Sequence, residues 1–66
     1  MKSSFSKGDI VSTTQRAVSK IKKGKLNEPL IDTGTVIGNE HYGRVVVVKL
    51  NTGETVKTKP EYIEPY

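Results

Sequence analysis

Between Arg44 and Leu50 the chain reads RVVVVKL, the longest apolar run in the sequence. Taken as a strand, it puts Val46, Val48 and Leu50 on one side and Val45, Val47 and Lys49 on the other. NTGE then forms a tight loop in which Asn51 or Gly53 supplies a left-handed residue, and TVKTK returns as a strand with Val56 pointing inward. Pro60 ends that strand because it has no N–H to donate to a ladder. Upstream, KGDIVST places a turn at Gly8-Asp9 before a first strand starting at Ile10 and Val11. TGTVIGN reads as a second strand built on the β-branched Thr35, Val36 and Ile37. EHYG joins it to the valine strand, with Gly43 free to take a positive φ. The closing PEYIEPY fits a 3₁₀ turn that delivers Tyr62 or Ile63 to the core, then a brief last strand ending near Pro65.

Two regions escape this alternation. Residues 1–6 read as a flexible lead-in, with Phe5 the one side chain there able to dock; Phe5 and Val11 are candidates to anchor the two ends of the first strand. Residues 14–32 place Ala17, Val18 and Ile21 so that one or two helical turns could gather them on a single side, stopped by Gly24. A helix that short does not hold itself together in water, so a long, partly ordered loop is expected, with Leu26, Leu30 or Ile31 tucked inward. Five short strands with at most one helical turn predict an all-β fold, a bent antiparallel sheet closed into a small five-stranded barrel with a long loop after the first strand. Closure would also protect the edges of so apolar a sheet. An extended four-stranded sheet is the alternative.

KGDIV (7–11), TGTVIG (33–38), VVVVKLNTGETVKT (45–58) and PEYIEPY (60–66) together resemble the SH3-like barrel superfamily over most of the chain. The Gly8-Asp9 turn before the first strand and GTV in the second are most similar in pattern to KOW and Tudor-like domains. The resemblance implies a barrel of the kind found in ribosomal, transcription-associated and other nucleic-acid-handling proteins, and also in protein-interaction modules. PEYIEP resembles the turn and last strand of signalling SH3 domains, but without a tryptophan the polyproline groove of that family would lack its indole wall. The interval from Ser12 to Thr33 is longer than the compact first loop of KOW motifs.

Charge adds a functional candidate to this frame. The chain has 66 residues, no cysteine and a formal charge of +4, so it forms one small domain that ordinary packing must stabilise, without disulfides. Residues 13–27 carry Arg16, Lys20, Lys22, Lys23 and Lys25 against no acid, whereas the remaining bases and all seven acids lie elsewhere. Such a cluster attracts phosphates or an acidic protein surface, and the same charges would also solubilise a loop with no partner at all. Lysines act as mobile point charges and Arg16 as a planar fork, a composition fitted to backbone attraction more than to base reading. In NEHYGR, Tyr42 could stack on a base while Arg44 touches phosphate; alternatively Tyr42 packs over the barrel mouth and leaves its hydroxyl wet. The nucleic-acid-binding candidates are therefore Arg16, Lys20, Lys22, Lys23, Lys25, Tyr42 and Arg44.

Other classes find little support. One histidine, no cysteine and scattered acids give no nucleophile with an activating base, GTVIGNEHYG lacks the Lys-Ser/Thr ending of a phosphate loop, and no cofactor or metal is expected. No apolar run is long enough to span a membrane, and MKSSFSKGD lacks the apolar centre of a signal peptide, which predicts a cytoplasmic protein without membrane contact. The expected function is a non-catalytic module that grips a DNA or RNA backbone. The alternative is a protein-interaction or regulatory module, homodimeric through Val45 and Val47 or a structural subunit of a larger complex.

Overall fold

A computed structural model describes residues 5–66. Its strands are β1 (Ile10–Thr13), β2 (Gly34–Glu40), β3 (Val45–Leu50), β4 (Thr55–Thr58) and β5 (Ile63–Pro65), with a helix α1 (Gln15–Lys22) after β1 and a 3₁₀ turn (Pro60–Tyr62) before β5. They form one antiparallel sheet in the order β4-β3-β2-β1-β5. Because β5 pairs with β1 at Val11↔Pro65, Ser12↔Glu64 and Thr13↔Ile63, the sheet has five strands and not four.

Alternation along β3 sorts its side chains as period two requires. Val46 and Val48 are fully buried, and their partners Thr58 and Val56 on β4 face the same way. Val36 on β2, Val11 on β1 and Ile63 on β5 complete the layer, with Phe5 and Ile31 contributed from outside the strands and Leu50 and Val56 packed at its margin. Gly34 permits this density: a Cβ there would collide with the Val48 side chain and press on the Lys49 carbonyl and Ile31. The opposite face carries the row Ile10, Thr35, Lys49 and Thr55 from strand to strand. Tyr66, whose N–H donates to the Ile10 carbonyl at 3.0 Å, continues that row.

The β2–β3 ladder pairs Val36 with Val48 but Gly38 with Val47, which leaves Ile37 as an extra residue on β2. This bulge bends the strand and increases its twist. It also brings Asn39 opposite Val46 and Glu40 opposite Val45. From there the Asn39 side-chain amide donates to the Phe5 carbonyl at 3.0 Å, and Glu40 meets Lys57 across the sheet at 3.1 Å.

The lead-in is packed where it can be described. Positions 1–4 lie outside the described residues, but Phe5 is buried and the Ser6 N–H donates to the Asp9 carboxylate at 2.9 Å. Phe5, the one side chain of the lead-in expected to dock, does so. Phe5 fills the core end that Asn39 caps, and the Ser6–Asp9 turn fixes its entry.

The β1–β2 connection is more ordered than a loop. Helix α1 runs eight residues and is capped at both ends. Thr14 Oγ1 accepts from the Ala17 N–H at 3.1 Å, the usual service of an N-cap threonine. At the other end the Lys25 N–H donates to the Lys20 carbonyl and the Gly24 N–H to the Ile21 carbonyl, a Schellman closure that Gly24 permits with its φ of +77°. Ala17 is buried while Val18 and Ile21 are half-buried, so the apolar spacing does form a helix face. Of the three residues expected to tuck inward, Ile31 does so at 2% exposure, whereas Leu30 stays at 45%. Thr13 fixes Ile31 twice, donating its N–H to the Ile31 carbonyl at 2.9 Å and accepting the Ile31 N–H on Oγ1 at 2.8 Å.

Candidate functional site

The cations of the basic segment do not share one surface. On a helix, Arg16, Lys20 and Lys23 recur at spacings of four and three and form a single stripe, whereas Lys22 falls on another flank with Gln15, Val18 and Ser19. Lys23 closes the helix, and Lys25 lies just beyond Gly24 where the chain turns away. Lys20 and Lys22 sit in the last turn, where positive charge suits the helix dipole; Arg16 sits in the first turn, where it does not. The position of Arg16 is thus unexplained by helix stability.

Arg16 and Lys20 face the 3₁₀ turn. With Thr14, Ala17, Glu61 and Tyr62 they line a shallow concavity. The approach is fixed by the backbone: the Thr14 N–H donates to the Tyr62 carbonyl at 3.0 Å, and the Tyr62 N–H to the Lys59 carbonyl at 3.0 Å. A second concavity, lined by Arg44, Lys59, Pro60 and Glu61, adjoins the first through Glu61. A third shares Lys59 and continues to His41, Val45 and Lys57, with Glu28 and Glu40 on its wall. The result is a band in which Arg16, Lys20, Arg44 and Lys59 flank the turn from Pro60 to Tyr62.

Among the described residues the only ion pair is Lys57 with Glu40, so none of the four flanking cations is neutralised by a direct partner. Glu61 lies between them as the one acid common to both inner concavities. The Tyr62 hydroxyl is held above the ordinary tyrosine value of 10.0, first by partial burial, then by its hydrogen bond to Glu61 and the charges of Glu61 and Glu28. It stays a neutral donor at physiological pH.

Tyr42 does not pack over the mouth of the sheet; it is fully exposed. It belongs to a hairpin turn in which His41 and Tyr42 have φ of 53° and 59°, followed by Gly43 at 85°. The Gly43 N–H donates to the Glu40 carbonyl and the Arg44 N–H to the His41 carbonyl, both at 3.1 Å. Arg44 thereby leaves the turn toward the 3₁₀ segment while Tyr42 stands clear of the body.

Of the seven residues expected from sequence, Arg16, Lys20 and Arg44 converge on one band, with Tyr42 on the turn that carries Arg44. Lys22 is directed elsewhere, and Lys23 and Lys25 lie at the far end of α1. Lys59 and Glu61 are site residues that sequence reading misses. The available signal is the TVKTK pattern, in which alternation puts Lys57 and Lys59 on one side of an extended segment immediately before the proline that starts the turn. No family model, curated protein or solved structure matches this chain. Among the described residues, no helix is long and apolar enough to cross a membrane, and no group of three or more His, Asp or Glu side chains is placed to hold a metal ion.

Proposed function

We propose that the protein is a non-catalytic, nucleic-acid-associated binding module on an SH3-like barrel, acting in the cytoplasm. The barrel is supported by the order β4-β3-β2-β1-β5, by the long connection between β1 and β2, and by the 3₁₀ turn immediately before β5. The bulge at Ile37 supports it further, since such bends curl a sheet toward closure. The observation that carries the functional reading is the band of Arg16, Lys20, Arg44 and Lys59, unpaired among the described residues and brought together from three separate parts of the chain. Lone cations in solvent gain little for the fold, whereas several along one track can neutralise consecutive phosphates of DNA or RNA.

Salt titration of DNA and RNA binding tests this. Affinity should fall as salt rises, and each contacting cation neutralised should reduce the logarithmic salt slope by about 0.7 for single strands or about 0.9 for duplex. Arg16→Gln, Lys20→Gln, Arg44→Gln and Lys59→Gln should each do so; Lys22→Gln and Lys49→Gln, directed to other surfaces, should not. Absence of binding to either polymer at low salt would end this reading.

A second reading, a protein-interaction module that self-associates as a homodimer, is favoured by a different surface. Ile10, Ile37 and Tyr66 are exposed on or beside the outer row of the sheet, and Val45 and Val47 are half-buried there. Sedimentation across micromolar concentrations separates the readings, since a monomer throughout would remove the homodimer.

A further inference from the structure

We infer that the nucleic acid is single-stranded and that Tyr42 is the platform on which one of its bases stacks; this rests on the nucleic-acid reading above and names its substrate class. The starting point is a turn that is poorly suited to its sequence. The pair Glu40↔Val45 is closed by a four-residue loop, and the turn that opens it has both central residues left-handed, a conformation that favours Gly or Asn because a Cβ is strained there. Here those places are held by His41 and Tyr42, at φ 53° and 59°, although Gly43 stands one residue further on. Nothing in the fold offsets the strain through Tyr42, whose ring touches no core and remains fully open to water. Tyrosine ordinarily contributes by burying its ring, so this one contributes nothing to folding where it stands. Strained residues that persist without a packing reason mark places where the conformation is used.

The neighbourhood says what could use it. Two residues after Tyr42, Arg44 enters the concavity it shares with Lys59, Pro60 and Glu61, and Glu61 links that concavity to Arg16 and Lys20. An aromatic face raised at one end of a track of cations matches a strand whose phosphates follow the cations and whose base lies on the ring. A duplex can offer phosphates to the same track, but its base faces are already stacked within the helix. Only an unpaired base has a face free for Tyr42. Stacking of this kind is tolerant of base identity, so the ring itself imposes no sequence preference.

The test compares oligo-dT and oligo-U with duplexes of equal length on the full chain at low salt; the two single strands separate a DNA ligand from an RNA ligand. Single strands should bind more tightly than either duplex. Tyr42→Ala should weaken single-strand binding by about 5- to 150-fold and leave weak duplex binding unchanged, whereas Tyr42→Phe should retain the affinity. Tyrosine emission, unobscured because the chain has no tryptophan, should be quenched by oligo-dT or oligo-U and less so in Tyr42→Phe. Tyr42→Gly serves as the folding control: it should raise the thermal midpoint by relieving the turn while losing single-strand affinity as the alanine variant does. If the protein binds duplex as tightly as single strands, or binds single strands equally well with alanine at position 42, this inference falls and the phosphate-binding reading stands. If neither polymer binds, both fall. A fixed-stoichiometry protein complex that depends on Tyr42, with no nucleic-acid binding, would assign the ring to a protein partner instead.

Discussion

Strand β3 and the connection from Thr14 to Thr33 are ordered by different means. β3 lies between β2 and β4, and its inward valines are sealed by the rest of the core. The connection reaches the core chiefly through Ile31, and its helix is defined by a cap at each end. Apolar area holds the first, and a few directed hydrogen bonds hold the second. The two should therefore fail differently: β3 with the whole molecule, the connection by itself.

The largest effect should come from Val48→Ala. Removing two buried carbons and leaving part of a cavity should cost about 2–3 kcal/mol, read in urea as an earlier midpoint with unchanged slope. Amide protection should drop together across all strands; a loss confined to β3 would break the comparison. Next is Thr13→Val, which keeps the shape but removes the acceptor of the buried Ile31 N–H, at a cost of about 1–3 kcal/mol. Exchange at Ile31 and through the connection should accelerate more than at Val46 or Val48. Equal acceleration everywhere would show that the connection is not a separate unit.

Thr14→Ala should cost about 1 kcal/mol through loss of the cap on the Ala17 N–H, and Thr14→Asp should restore it. Helical circular dichroism and the thermal midpoint report both. The smallest effect concerns pH. The folded-state value of Tyr62 is raised, so the folded chain holds that proton more tightly than the unfolded one. Its stabilisation is fully present below pH 10 and is lost as pH rises through the higher folded value. Tyr62→Phe should remove this part of the alkaline loss; an unchanged alkaline profile would show that Tyr62 is not responsible for it.

The same contrast explains how much can be read from sequence. β3 is legible because RVVVVKL allows one strand whose faces differ, and Val46 and Val48 occupy the face it predicts. Gly53 and Gly43 take the positive φ expected of them, and PEYIEPY yields the 3₁₀ turn, a buried Ile63 and a last strand ending at Pro65. Helix α1 is only half legible. Its apolar spacing and its stop at Gly24 can be seen, but so short a helix is unfavourable by itself; the local Thr14 cap supports it, and the tether from the Thr14 N–H to the Tyr62 carbonyl comes from a residue distant in sequence. The site is less legible still. A run of charges in sequence is not a surface: α1 separates Lys22 from Arg16 and Lys20, while chain reversal brings Arg44 and Lys59 to join them. The exposure of Tyr42 is invisible beforehand because it depends on a backbone conformation that sequence alone would assign to glycine.

The surplus residue in β2 has a consequence for deletion. Ile37 has no partner of its own, so a chain lacking it could pair Val36, Gly38, Asn39 and Glu40 with the same residues of β3 as before. Every facing would survive, along with the Asn39 hydrogen bond to Phe5 and the Glu40–Lys57 ion pair. What would disappear is the crease, and the shortened protein should differ from its parent in how far its two outermost strands curl toward each other.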